Sequence, residues 1–305
     1  MLLQRPFVND FSESPNNVWS TFFRKDPHER ITKVAHGKPI AQTYGFGSRW
    51  LTLASKNLSH VVGPDSPVHN ITQKDAGLFY PAGPPYLLTA RDMYQMTVKW
   101  TEFLPRLWDI SPQFMAEMYG YSLAAAHLQM PHQLARGFMV SNVLIQEEEG
   151  WYFLKDVPPE EICDRSKPAP NVPHVLHFCQ RYGIGEYFIF KHRIPNLFTC
   201  DIPLPELPPT DAALLWNYSH YGDGTTEVWP DSKRDLKYSH AFMVCSLYAA
   251  LNDASRYFKQ HHCENPNMNE TYRFFEWDEQ EKQKAKAEKE RAKAEKERAK
   301  ANKNH

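Results

Sequence analysis

Twenty-four prolines in 305 residues limit where this chain can build regular structure. Proline fixes φ and donates no backbone hydrogen bond, so it is kept out of helix interiors and central strands. Four proline-rich stretches stand out: Pro81-Ala-Gly-Pro-Pro85, Val157-Pro-Pro159, Lys167–Pro173 and Pro203–Pro209. They read as long, fixed surface connections, the kind of loop on which binding residues often sit. Regular elements must lie between them.

Three helices are legible there. The first opens at Thr89-Ala90-Arg91-Asp92, a capping box with Asp in place of Glu. Met93, Met96, Trp100 and Leu104 follow at helical spacing, and Pro105 is expected to end or kink it. The second opens at Ser111-Pro112 and runs through Phe114–Ala126 to Met130, where Pro131 stops it. The third spans about Arg234 to His261, with Ala241, Val244, Tyr248, Leu251, Ser255 and Phe258 along one buried stripe. Strands are expected at Leu2–Val8, Ile40–Tyr44, Phe138–Ile145, Trp151–Leu154 and Val172–Cys179. The whole reads as α/β. No Pro/Gly/Ser linker divides it, so residues 1–276 read as one domain and 277–305 as a charged low-complexity tail, helical or disordered.

The tail repeats Ala285-Lys-Ala-Glu-Lys-Glu-Arg291 as Ala292–Arg298. A period of seven suits a coiled coil, yet Ala is its only apolar residue, which points to a solvated extension. Residues 278–305 hold ten Lys/Arg and seven Asp/Glu, leaving 25 basic and 29 acidic residues in the body. The net charge of −1 is thus a cancellation, and it makes no case for nucleic acid. Met1–Pro6 is too short for a signal peptide or anchor, and no run of about 18 apolar residues occurs. Yet four glycosylation sequons, at Asn57, Asn70, Asn217 and Asn269, lean towards a secretory chain. The five cysteines lack C-x-x-C spacing. They are either buried apolar residues or form one or two disulfides in an oxidising compartment.

Few residues announce chemistry. Gly45-Phe-Gly47 and Gly183-Ile-Gly185 lack the third glycine of a dinucleotide fingerprint and read as turns. His261-His262-Cys263 looks metal-like, but adjacent helical residues point about 100° apart, so it reads as a helix end. Glu117, flanked by Phe114-Met115 and Met118-Tyr119, is either a buried structural acceptor or a functional acid. Tyr119 and Tyr121 could present hydroxyls beside it. In Pro173-His-Val-Leu-His-Phe-Cys-Gln-Arg-Tyr182, alternation sets His177 opposite Leu176 with Val175 and Cys179, as a core histidine or as a contact for a metal or anion.

Taken together, several blocks resemble hydroxyproline O-arabinosyltransferases, which share their domain with peptidyl serine α-galactosyltransferases. They are Tyr80–Tyr86, Thr89–Tyr94, Trp100–Phe103, Ala116–Tyr121, Ala124–Leu128, Pro131-His132, Pro173–Tyr182 and Phe258–Cys263. The resemblance covers about residues 1–276. It implies a Golgi glycosyltransferase with a GT-A-like α/β fold. The donor would be a UDP-sugar, and the acceptor a hydroxyproline or serine hydroxyl on a secreted or cell-wall protein. A divalent metal, commonly Mn²⁺, would bridge the diphosphate. By carry-over, Glu117 is the catalytic candidate and His177 the metal ligand. Tyr86, Arg91, Asp92, Tyr119, Gln180 and Arg181 are the donor-binding candidates.

The chain departs from that pattern at the metal. No Asp-x-Asp occurs, and Met1–Phe7 resembles the strand that follows the motif in relatives. The resemblance therefore implies a domain lacking its first nucleotide-binding strands, inactive alone, whose membrane anchor would lie upstream. Three rivals stand beside this reading. One is a non-catalytic binding or scaffold protein that kept the fold, another a peptidyl serine galactosyltransferase, and the third a cytosolic α/β protein with chance sequons.

Overall fold

The structure, a computed structural model, describes residues 2–3, 33–146, 149–167, 172–190, 197–221, 223–273 and, in the tail, 283, 286–291 and 293. The tail reading therefore falls mostly outside the described residues, as do residues 4–8 of the first expected strand. Leu2–Leu3 of that strand is formed (β1). The chain is mixed α/β with small sheets, and it divides into two compact units. One comprises Leu3–Phe153 with Pro170–His177, the other Leu154–Ala169 with Phe178–His305. Among the described residues no helix is long and apolar enough to cross a membrane.

The first unit is built around β2 (Ile40–Thr43). Three short helices follow it: α1 (Arg49–Ala54), α2 (Leu58–Val62) and α3 (Gln73–Phe79). At one or two turns each they are too brief for a 3.6-residue period to show in sequence. They bury Trp50, Val61 and Ala76 completely. Next comes β3 (Ala82–Leu87), within a stretch expected to be a connection. It pairs antiparallel with β2, with a bulge at Ala41/Gln42. Its prolines are tolerated because the sheet order is β3-β2-β4, which leaves β3 on the edge. The strand β4 (Gln133–Ala135) runs parallel to β2.

Two longer helices, α4 (Ala90–Ile110) and α5 (Ala116–His127), pack against each other. Thr89 caps α4 as expected, its hydroxyl accepting from the Asp92 N–H at 3.2 Å. The helix does not end at Pro105. It runs through, because Phe103 and Leu107, 1% and 0% exposed, anchor the turns on either side. Ser111 closes α4, donating to the Leu107 carbonyl, and so does not open the next helix. That helix begins at Ala116, and Gln129, at φ 54°, ends it before Met130. The expected strand Phe138–Ile145 shrinks to β5 (Met139–Val140), which pairs in parallel with β6 (Val175–Leu176). Trp151–Leu154, expected as a strand, lies in a 3₁₀ segment, Trp151–Asp156. Trp151, Phe153 and Leu154 are all buried there, so a two-residue alternation had no exposed side to mark.

The second unit contains a hairpin of β7 (Tyr182–Ile184) and β8 (Tyr187–Ile189). It also holds β9 (Leu204–Pro205), the short α6 (Ala212–Leu215), and a hairpin of β10 (Tyr218–His220) and β11 (Thr226–Val228). The long α7 (Arg234–His262) matches its expected span, and β12 (Thr271–Tyr272) pairs in parallel with β9. Two disulfides, Cys163–Cys245 and Cys200–Cys263, fasten α7 to the rest of this unit. Cys179 lies outside both and is exposed. Cys263 is thus a bridge residue, which removes the metal-like appearance of 261–263.

Candidate functional site

The richest cluster lies in the first unit, where the end of β3 meets α4 and α5. Glu117 sits in the first turn of α5 and is exposed. Its backbone carbonyl accepts the Trp100 indole N–H at 2.7 Å. Gly120 permits that approach, since a Cβ there would lie 3.3 Å from the Trp100 ring. Trp100 in turn meets Tyr121 edge-on at 5.3 Å, and Tyr121 stacks on Tyr86 at 3.9 Å. The Tyr121 hydroxyl is bonded to His132 Nε2 at 2.8 Å, while His132 Nδ1 lies 3.0 Å from the Met130 carbonyl. Since a carbonyl only accepts, Nδ1 carries the ring proton and Nε2 accepts from the phenol.

Electrostatics follow from this packing. Burial pushes the Tyr86 phenol well above its ordinary value, and Tyr121, Tyr44 and Glu117 add to the effect. Tyr86 therefore stays protonated and able to donate. Burial also holds His132 down to about 4, only partly opposed by the Met130 carbonyl. The outcome is an exposed carboxylate beside a protonated phenol and an aromatic wall. Such a group can accept a hydroxyl proton while ring faces hold an apolar face of a ligand.

The other named residues fall in different places. Tyr119 is buried and packs edge-on against Phe46 at 5.2 Å. Arg91 is exposed on the first turn of α4. Asp92 is 0% exposed; one carboxylate oxygen bonds His36 Nδ1 and the other accepts the Gly37 N–H at 3.0 Å. Its geometry is that of a clamp on the 36–37 turn. Arg181 binds Asp223 and Thr225, each at 2.9 Å, with its guanidinium 4.4 Å from the Tyr221 ring centre. Gln180 is half-buried beside it in sequence. His177 lies just past β6, half-buried, its N–H donating to the Val140 carbonyl at 3.0 Å. Both residues of β6 are buried, so the alternating faces expected around His177 do not form.

All four sequon asparagines, Asn57, Asn70, Asn217 and Asn269, are exposed. Among the described residues no three His, Cys, Asp or Glu side chains gather as a metal-binding group. Trp100, His132 and Tyr44 belong to the candidate cluster but were not singled out from sequence. Trp100 carries a helical-stripe signal and His132 stands beside Pro131; both fall in resembling blocks, but neither is given a site role there. No family model, curated protein or solved structure matches the chain.

Proposed function

We propose that the first unit forms the sugar-and-acceptor side of a glycosyltransferase of the hydroxyproline O-arabinosyltransferase type. On this reading the fold is a GT-A variant. The donor is a UDP-sugar carrying an arabinose-like group, and the acceptor is a hydroxyproline or serine hydroxyl. The observation that carries it is the exposed Glu117 carboxylate at the edge of the Tyr86–Tyr121–Trp100 cluster. Glu117 accepts the hydrogen bond of the acceptor hydroxyl, Tyr86 donates to a sugar or peptide oxygen, and the ring faces orient the ligand. Four exposed sequons and two disulfides support passage through a secretory, oxidising compartment such as the Golgi. No Asp-x-Asp occurs in the 305 residues, so this chain alone is proposed to turn over little donor even with Mn²⁺.

Hydrogen exchange tests the reading. UDP-arabinofuranose with a hydroxyproline peptide should slow exchange at 82–87 and 116–121. Ligand protection confined to other segments, or none at millimolar ligand, rejects it. Rapid Mn²⁺-dependent transfer by the chain would instead keep the family reading and overturn the claim of a missing metal site.

A further inference from the structure

The second unit carries a pocket that the transfer reading leaves unused. Its volume is about 330 Å³, and it lies beside the β7–β8 turn, residues 206–209 and the end of α6. That is the lower end of the roughly 300–1,000 Å³ range of ligand pockets, room for one or two side chains.

Trp216 forms one wall. It rests on Gly185, whose φ is 58° and whose hypothetical Cβ would lie 2.3 Å from the indole. A glycine at the turn therefore sets the position of the indole. Tyr187 lies 5.9 Å away, tilted against it. Leu207 and Leu215 remain 44% and 52% exposed at the rim. Two carboxylates complete the lining. Glu206 accepts from the Tyr187 hydroxyl at 3.0 Å and from Arg273 Nε at 3.1 Å. Glu186 accepts at one oxygen from the Tyr218 hydroxyl at 3.0 Å.

The charges do not cancel. Arg273 offsets Glu206, whereas the bond to Glu186 comes from a neutral phenol, so one negative charge remains at the pocket. An excess carboxylate beside an indole and aliphatic side chains is complementary to a cationic side chain with an apolar neighbour. A sugar ring fits less well, because Leu207, Pro209 and Leu215 offer its hydroxyls no side-chain partner. We propose that this pocket docks a basic peptide segment. A Lys or Arg side chain lies over Trp216 with its charge on Glu186, and an adjacent apolar residue covers Leu207 and Leu215. The site belongs to the second unit alone and does not rest on the transfer chemistry.

Fluorescence anisotropy tests it, with the 305-residue chain and a labelled Pro-Leu-Arg-Pro-Leu-Lys peptide. A twin peptide with Gln at both basic positions is the control. The basic peptide should bind saturably with Kd below about 1 mM, and the twin about tenfold more weakly. Added salt should weaken binding. Glu186→Gln should cost about tenfold, the loss of one charge-assisted contact. Trp216→Leu should weaken binding as well; where it perturbs folding, Glu186→Gln decides. Equal binding of the two peptides, binding unmoved by Glu186→Gln, or no saturation would overturn the proposal. So would saturable binding of neutral maltohexaose with none of the basic peptide.

Discussion

At the scale of single residues, burial decides role more than residue type does. Asp92 and Glu117 are both carboxylates near helix starts. One is sealed under His36 and Gly37 and the other is open to solvent. Burial pushes the Asp92 carboxyl up, but the Gly37 N–H, Thr89 and His36 outweigh it and hold it below its ordinary value. A lowered folded value means stability that is present above the unfolded carboxyl range and is lost as pH falls through the folded value. Asp92→Asn should therefore destabilise by about 1–3 kcal/mol at neutral pH, read from urea midpoints. His132 moves stability in the same direction through the opposite charge form, since here it is the neutral ring that the fold favours. Burial holds it near 4 against an ordinary 6.5, so the unfolded chain takes up the proton first. Stability should fall as pH drops from 6.5 to about 4, and His132→Gln should flatten that slope. An unchanged slope would remove His132 from the account of acid unfolding.

At the scale of elements, long periodic segments were legible and short ones were not. The span of α7 and the Thr89 cap follow from spacing and capping chemistry in the sequence. The edge strand β3 was hidden because prolines argue against strands, and only sheet position reveals that its N–H groups are dispensable. The helices α1–α3 were hidden by brevity. Of the candidate site, Glu117 and Tyr86 were named from sequence. The Trp100–Tyr121–His132 contacts that hold them were not, since they join residues 11 to 21 positions apart by packing, not by pattern. The C-terminal half of α7 shows how polar residues enter a buried face. Asn252, Ser255 and Lys259 each donate to backbone carbonyls between 197 and 205. Lys259 Nζ alone meets Thr199, Cys200 and Ile202, at 2.8, 3.2 and 2.6 Å. Those carbonyls belong to an irregular stretch whose polar groups need partners. Lys259→Met should cost about 2–4 kcal/mol and speed hydrogen exchange near 199–204. A loss below about 0.5 kcal/mol would show that the carbonyls find other partners.

At the scale of the whole molecule, both units bury apolar side chains, and the second adds covalent cross-links. The first has a continuous apolar core in which Trp50, Met96, Phe103 and Leu107 are at most 1% exposed. Each such side chain contributes about 1.5–3 kcal/mol on burial. The second carries both disulfides, closing spans of 82 and 63 residues. Reduction should lower the stability of the second unit by about 2–4 kcal/mol per bridge and leave the first unchanged. Calorimetry with and without dithiothreitol separates these outcomes, and equal loss in both units would contradict the assignment. The central claim is that Glu117 and Tyr86 face a sugar donor and its acceptor. Isothermal titration of UDP-arabinofuranose, with the hydroxyproline peptide present, tests it in wild type, Glu117→Gln and Tyr86→Phe. Saturable binding that weakens about tenfold in each variant, with unfolding midpoints unchanged, is the predicted result. Binding that is absent in wild type, or the same in all three proteins, would contradict it.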